Sequence, residues 1–163
     1  MKFFIDTANL DEIAEAKSWG CLAGVTTNPS LYAKTGGKLE DFEPHMVKIA
    51  KLCEGLPVSA ESTAETTEEM IAEGRRLAAL APNIVVKLPI CPEALAATHT
   101  LAAEGIRVNM TLVFSAPQAL LAANAELATY RRSWAALMTS EMMLRRVFFE
   151  MMSLKNPTSS GII

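Results

Sequence analysis

The feature that most constrains this chain is a regular alternation of short apolar runs with longer helical stretches. The alternation repeats five times at intervals of about 20 to 30 residues. Strands that alternate with helices in this way are typical of a parallel sheet whose strands are joined by helical crossovers. The predicted strands are KFFID (2–6), GVTTNPS (24–30), PVSAE (57–61), NIVVKLP (83–89) and IRVNMT (106–111).

The stretches between these runs carry the end signals of helices. The stretch 66–82 has acidic residues in its first turn and arginines later, which suits the helix dipole. Gly20 and Gly105 stand where two other helices are expected to end. The predicted helices cover 9–20, a long region that closes near Gly55, 66–82, 92–105 and 115–124.

Composition fits one compact domain and argues against several classes of partner. The chain has 163 residues, of which 50% are hydrophobic, and a formal net charge of -3. This length is sufficient for a real core. The slight acidity and the lack of a Lys/Arg-rich run argue against nucleic acid as a partner. No run approaches the roughly 18 apolar residues of a membrane span.

The cysteines and the amino-terminal residues favour a cytoplasmic location. Cys21, Cys53 and Cys91 are scattered and odd in number, so neither a disulfide framework nor a zinc site is expected. The apolar start of the chain is interrupted at Asp6, before a signal-peptide core is complete.

Each predicted strand begins with apolar residues and ends with polar ones. In a parallel barrel the carboxyl ends of all strands point to one face, so these polar side chains are expected to converge on a single site. The alternative is a set of salt bridges and caps that close the sheet without any catalytic role. The residues concerned are Asp6, Thr26, Asn28, Glu61, Lys87, Asn109 and Thr111.

Lys87 is the most informative of these residues, because it follows three β-branched aliphatic residues in a strand expected to be buried. In a cavity of low polarity the pKa of a lysine falls from about 10.4 toward neutrality. The neutral amine is a nucleophile that can form a Schiff base with a carbonyl substrate. Glu61 and Asp6 are the candidates for moving protons. The alternative is a Lys87–Glu61 ion pair that only satisfies two buried charges.

Five segments together resemble the small transaldolase family, which includes the closely similar fructose-6-phosphate aldolases. The resemblance covers residues 1 to 124 and implies a (β/α)8 TIM barrel, of which this domain holds about five βα units. It also implies a class I Schiff-base mechanism without metal or cofactor. The segments are FIDTAN, GVTTNPSL, VSAE, VVKLP and VNMTLVFSAPQALLAA.

The resemblance implies three catalytic residues. Lys87 matches the lysine that forms the Schiff base. Asp6 matches the carboxylate that acts on the substrate hydroxyl during carbon–carbon cleavage. Glu61 matches the acid/base residue that acts through water.

Four further residues match the substrate-binding positions of the family. Asn28 and Asn109 match residues that hold the hydroxyl groups of the donor, and Thr26 lies beside them. Thr111 matches the partner of the acid/base residue.

The implied reaction transfers a dihydroxyacetone unit from a ketose phosphate to an aldose phosphate, as in the pentose phosphate pathway. Sugar phosphates are therefore the expected partners, with neither nucleic acid nor membrane involved. The family is often homo-oligomeric. Fructose-6-phosphate aldolases tend to carry Gln where this chain has Glu61, so this residue favours transaldolase and leaves the aldolase as the alternative. A second alternative is a non-catalytic remnant that acts as an interaction module.

The likeness stops after Asn124, and the remaining segment 125–163 lacks the strand–helix rhythm. Read one base out of register, synonymous codons for residues 125–143 can encode GARYVSPFVGRADDIGDD, which resembles the continuation of the family. We therefore expect this tail to be out of frame, and the chain to have little activity and a tendency to aggregate. Apolar residues at helical spacing also predict a helix over 139–155, which could cover the sheet or bind a partner.

Overall fold

The computed structural model describes residues 2–126, which form one parallel sheet of five strands with helical crossovers. The strands follow one another in sequence order, and every neighbouring pair is parallel. This is the progression of a β/α barrel, so the predicted incomplete TIM barrel is confirmed. The strands are β1 (Phe3–Asp6), β2 (Leu22–Thr26), β3 (Val58–Glu61), β4 (Ile84–Pro89) and β5 (Val108–Thr111).

Six α-helices connect or follow the strands within the described residues. The long helical region predicted before Gly55 contains two helices with a 3-10 turn, Leu39–Asp41, between them. The break follows from Gly36, whose φ of +84° lies in the left-handed region, and from Gly37. A Cβ at Gly37 would clash with the ring of Tyr32. The helices are α1 (Leu10–Ser18), α2 (Pro29–Lys34), α3 (Phe42–Leu52), α4 (Thr67–Ala78), α5 (Pro92–Ala103) and α6 (Ala116–Glu126).

The core lies between the helices and one face of the sheet. Successive side chains of a strand point to opposite faces, so every second residue of each strand is available for this core. In β4 these residues are Ile84, Val86 and Leu88, all of which are buried. They pack with buried helix residues such as Met46 and Leu101. The intervening residues of the strands therefore face the other, concave side of the sheet.

Helices α4 and α5 pack closely because α4 carries a glycine at their contact. A Cβ at Gly74 would lie 2.7 Å from Leu101 Cδ1 and 3.5 Å from Val86 Cγ1. The same helices are joined at the surface, where Arg75 donates hydrogen bonds to both carboxylate oxygens of Glu104. The glycine sets the distance between the helices, and the ion pair ties the end of α5 to α4.

The two outer strands leave open edges in the described part of the chain. Among residues 2–126, β1 pairs only with β2 and β5 pairs only with β4. Large apolar side chains lie exposed near both edges, with Phe3 57% exposed and Phe114 84% exposed. No helix within residues 2–126 is long and apolar enough to cross a membrane. The predicted tail, with its helix over 139–155, lies outside the described residues from position 127 onward.

Candidate active site

The predicted site residues lie at the carboxyl ends of the strands, and most of them share the concave face. Asp6, Thr26, Glu61, Lys87, Asn109 and Thr111 are each an odd number of positions from a residue of the same strand that packs in the core. Alternation along a strand therefore places these six on the concave face. Asn28 lies two residues beyond the end of β2.

Lys87 and Glu61 form the centre of the site. They are direct neighbours in the parallel register of β3 and β4. Lys87 Nζ lies 2.9 Å from Glu61 Oε2, and the two side chains are only 12% and 22% exposed. Partial burial strengthens the attraction between these charges, because the surroundings screen it less than bulk water would. An amine and a carboxylate at this distance can exchange a proton directly.

Asn109 and Ser59 form a buried bond beside this pair. Asn109 Nδ2 donates to Ser59 Oγ at 3.2 Å. The two residues stand on β5 and β3, with β4 between them. Their strands are therefore separated by two spacings, about 10 Å along the sheet. Short side chains can bridge this separation only because the sheet curves toward its inner face. The bond crosses β4 close to Lys87, which is paired in register with Asn109.

Asp6 and Thr26 form a second, more exposed pair at the other side of the site. Thr26 Oγ1 donates to Asp6 Oδ1 at 2.7 Å, and the two residues are register partners on β1 and β2. Three strand spacings, about 14 Å along the sheet, separate β1 from β4. Asp6 therefore shares a face with Lys87 from a strand three places away in the sheet.

Asn28 and Thr111 lie at or just beyond the carboxyl ends of β2 and β5. Asn28 caps α2, since its side-chain oxygen accepts from the backbone nitrogen of Leu31 at 2.8 Å. Thr111 is paired with Pro89 at the end of β5. The next residue, Leu112, has a φ of +60°, so the backbone turns sharply there. Thr111 lies two strands from Glu61, and a partnership between them stays a prediction.

The loop that follows Glu61 is held by a glutamate of α4. Glu73 Oε2 accepts from the backbone nitrogens of Thr63 and Ala64 at 3.0 and 3.1 Å, and also from the hydroxyl of Ser62. The backbone nitrogen of Ser62 donates to the carbonyl oxygen of Lys87 at 3.0 Å. The loop is thus attached both to α4 and to the strand that carries the lysine.

Sequence reasoning missed Ser59 and Glu73. Ser59 stands two residues before Glu61, so strand alternation alone puts it on the same face and could have identified it. No pattern in the sequence indicates that Glu73 reaches the loop, since that contact depends on how α4 packs against the sheet. Among residues 2–126, no group of three or more His, Cys, Asp or Glu side chains is arranged to hold a metal ion.

Comparison with known proteins connects this arrangement to one family. Residues 3–140 match the family described as Transaldolase/Fructose-6-phosphate aldolase, and the match extends past residue 124. A probable transaldolase of Thermus thermophilus is 56% identical over 130 residues, which is 77% of this chain and 58% of that protein.

Two further relatives agree with this match. A probable transaldolase of Heliobacterium modesticaldum is 55% identical over 80% of this chain and 58% of its own length. One of Halalkalibacterium halodurans is 58% identical over 80% of this chain and 59% of its own length. The chain thus spans less than two thirds of the length of the relatives that it matches. The fold, the site at the strand ends and these similarities lead to one conclusion: the chain belongs to the transaldolase/fructose-6-phosphate aldolase family.

Proposed function

We propose that this chain carries out transaldolase chemistry, in which a dihydroxyacetone unit passes from a ketose phosphate to an aldose phosphate through a Schiff base on Lys87. The observation that carries the proposal is the contact of 2.9 Å between Lys87 and Glu61 on the concave face of the sheet. A partly buried amine beside a carboxylate has both the nucleophile and the proton acceptor that imine formation needs. The names of the relatives favour transaldolase within the family.

The first half of the reaction joins the donor to the lysine. Glu61 accepts a proton from the Lys87 ammonium, and the neutral amine attacks the ketone carbon of the donor. The resulting carbinolamine loses its hydroxyl as water, with the proton supplied by Glu61 through a water molecule. The product is a protonated Schiff base, which withdraws electrons from the neighbouring carbon–carbon bond.

The second half breaks that bond and makes a new one. Asp6 accepts the proton of the donor hydroxyl, and the carbon–carbon bond breaks. The aldose phosphate leaves, and the electron pair of the broken bond remains with the three-carbon unit as an enamine on Lys87. The enamine then attacks the aldehyde carbon of the acceptor, whose oxygen takes the proton back from Asp6. Water finally hydrolyses the Schiff base and restores the amine.

The remaining predicted residues hold the donor in this scheme. The amide nitrogen of Asn28 is not used by the helix cap, so it is available to donate to a sugar hydroxyl. Asn109 is fixed by Ser59 beside the lysine, and Thr26 orients Asp6 through their hydrogen bond. Thr111, at the end of β5, is expected to act as the partner of Glu61 in this scheme.

We expect the turnover of the 163-residue chain to be low. The sheet formed by residues 2–126 has two unpaired edges, so these residues alone do not enclose the site as a closed barrel would. Exclusion of water strengthens the electrostatic interactions of an active site and protects reactive intermediates such as the enamine. Imine formation uses only Glu61 of β3 and Lys87 of β4. We therefore expect it to occur even in a chain that cannot complete the transfer.

Borohydride trapping tests the proposal directly. Incubation with fructose 6-phosphate followed by reduction should add a stable adduct at Lys87, located by peptide mass spectrometry. The adduct should be absent in Lys87→Ala and retained in Lys48→Ala, which removes an exposed lysine of α3. A parent chain that forms no adduct would contradict the proposal.

The need for an acceptor aldose distinguishes a transaldolase from the alternative, a fructose-6-phosphate aldolase. A transaldolase releases glyceraldehyde 3-phosphate from fructose 6-phosphate in step with the supply of erythrose 4-phosphate, whereas an aldolase releases it without any acceptor. A coupled assay for glyceraldehyde 3-phosphate with and without erythrose 4-phosphate distinguishes them. Turnover at the rate of a full-length relative would contradict the expected impairment.

A further inference from the structure

We propose that Glu73 of α4 is a positioning residue for the Glu61–Lys87 pair, although it touches neither side chain. The inference rests on the proposed function for the roles of Glu61 and Lys87. Its own basis is a continuous set of hydrogen bonds that runs from α3, through α4 and the loop after Glu61, to the backbone of Lys87.

The first link is between Glu73 and the loop of residues 62–64. One carboxylate oxygen accepts from two backbone nitrogens and one hydroxyl, in Thr63, Ala64 and Ser62. Bonds from backbone N–H groups to an ionised carboxylate are about twice as strong as bonds between neutral partners. Glu73 therefore fixes three consecutive residues immediately after Glu61.

The second link joins that loop to the strand of the lysine. Ser62 is buried, its hydroxyl binds Glu73, and its backbone nitrogen binds the carbonyl oxygen of Lys87 at 3.0 Å. Ser62 is covalently attached to Glu61. The bond from Ser62 to Lys87 thus extends the pairing of β3 with β4 one residue beyond Glu61, where β3 ends. It holds together the backbones that carry Glu61 and Lys87.

The third link holds Glu73 itself. Its other oxygen lies 3.5 Å from Nη2 of Arg76, and Nε of Arg76 donates to Glu43 of α3 at 2.5 Å. The Glu73 side chain is only 16% exposed. One oxygen of the carboxylate is therefore held by the loop of residues 62–64, and the other faces Arg76.

A merely structural role would stabilise the loop without changing the interaction between Glu61 and Lys87. A positioning role predicts that this interaction depends on Glu73. A double-mutant cycle measures that dependence. The readout is the rate at which acetic anhydride modifies Lys87 at one fixed pH, quantified by mass spectrometry relative to the rate at the exposed Lys48.

In the parent chain, Glu61→Gln should move the ratio of the Lys87 rate to the Lys48 rate upward, because the amine is released from its ion pair with the carboxylate. In the Glu73→Ala background the same substitution should move it by less than half as much. Equal shifts in the two backgrounds, or no shift in the parent, would overturn the inference.

Two further variants complete the experiment. Glu68→Ala removes an exposed carboxylate from the first turn of α4 and should leave the full shift unchanged. Glu73→Gln keeps one oxygen acceptor and should give an intermediate shift, and it decides the question should Glu73→Ala fail to fold. Borohydride trapping is read separately: a chain with the expected coupling but no adduct rejects the proposed function and leaves the positioning role standing.

Discussion

Individual residues of this chain show how local sterics and burial determine what each position tolerates. Gly74 is required by a close helix contact, and Cys53 is a thiol enclosed in the core. Neither the close contact at Gly74 nor the burial of Cys53 follows from residue type alone. Both lead to effects that can be measured without any substrate.

Gly74→Ala should destabilise the chain even though alanine is the better helix former. The added methyl would meet Leu101, which is fully buried and cannot move into solvent. Overpacking costs about 1–3 kcal/mol, whereas the gain in helix propensity is about 1 kcal/mol. We expect urea unfolding to show a loss of about 1 kcal/mol. In a Leu101→Ala background, which removes the obstructing methyls, Gly74→Ala should be neutral or stabilising. A Gly74→Ala single variant that is more stable than the parent would contradict this explanation.

Cys53 should react far more slowly than Cys21. Burial raises the pKa of the Cys53 thiol, an effect partly offset by the charge of Lys17, so less of the reactive thiolate is present at a given pH. Cys21 is exposed. We expect iodoacetamide at about pH 8 to label Cys53 at least about 100-fold more slowly, because labelling requires local or global opening. In denaturing urea the two rates should become similar, and equal rates in the folded chain would show that Cys53 is accessible.

At the scale of elements, most strands and helices lie close to where the sequence predicts them, but β2 (Leu22–Thr26) lies earlier than the predicted run 24–30 because α2 begins at Pro29. The run 83–89 became β4 (Ile84–Pro89) because β-branched residues and a terminal proline mark such a strand clearly. The region before Gly55 was predicted only as helical, and the glycine pair after Thr35 marks where it divides into α2 and α3. The contact of Ser59 with Asn109 and that of Glu73 with its loop depend on sheet curvature and helix docking, which no local pattern specifies.

The ion pair between α4 and α5 should make stability depend on pH. A hydrogen bond from Arg75 holds the pKa of the Glu104 carboxyl below its usual range. A depressed pKa in the folded state means that the stabilisation is present above the unfolded pKa and is lost as the pH falls through the folded value. Urea unfolding of the parent and of Glu104→Gln should therefore differ near neutral pH and converge between about pH 5 and about pH 3. Because the pair is exposed, added salt should also reduce the difference.

At the scale of the whole molecule, the edges of β1 and β5, which pair with no further strand among residues 2–126, dominate the expected behaviour. Unpaired strand edges are templates for pairing with other chains, and exposed aromatic residues near both edges add an apolar surface. The position of these edges follows directly from the strand order. Homo-oligomer formation of the kind expected from the resemblance stays a prediction.

Charges placed at the edges should reduce self-association. We expect Phe3→Lys/Phe114→Lys to weaken association by roughly tenfold, about 1.4 kcal/mol, when light scattering is followed across a dilution series. Ala72→Lys/Ala96→Lys adds the same charge at exposed positions of α4 and α5 and should have a smaller effect. Equal effects of the two double variants would assign the association to net charge instead of the edges.

The register pairing of Glu61 with Lys87 also bears on how the molecule is assembled. The two residues stand about 26 positions apart and belong to a single βαβ unit, so their meeting requires one short loop closure. Parallel pairing closes this loop before its contacts contribute, so the pair forms only once the whole unit from β3 to β4 is available. In the proposed mechanism, the amine that captures the ketone and the carboxylate that serves it therefore come from one βαβ unit, so the capture step depends on a single strand pair of the sheet.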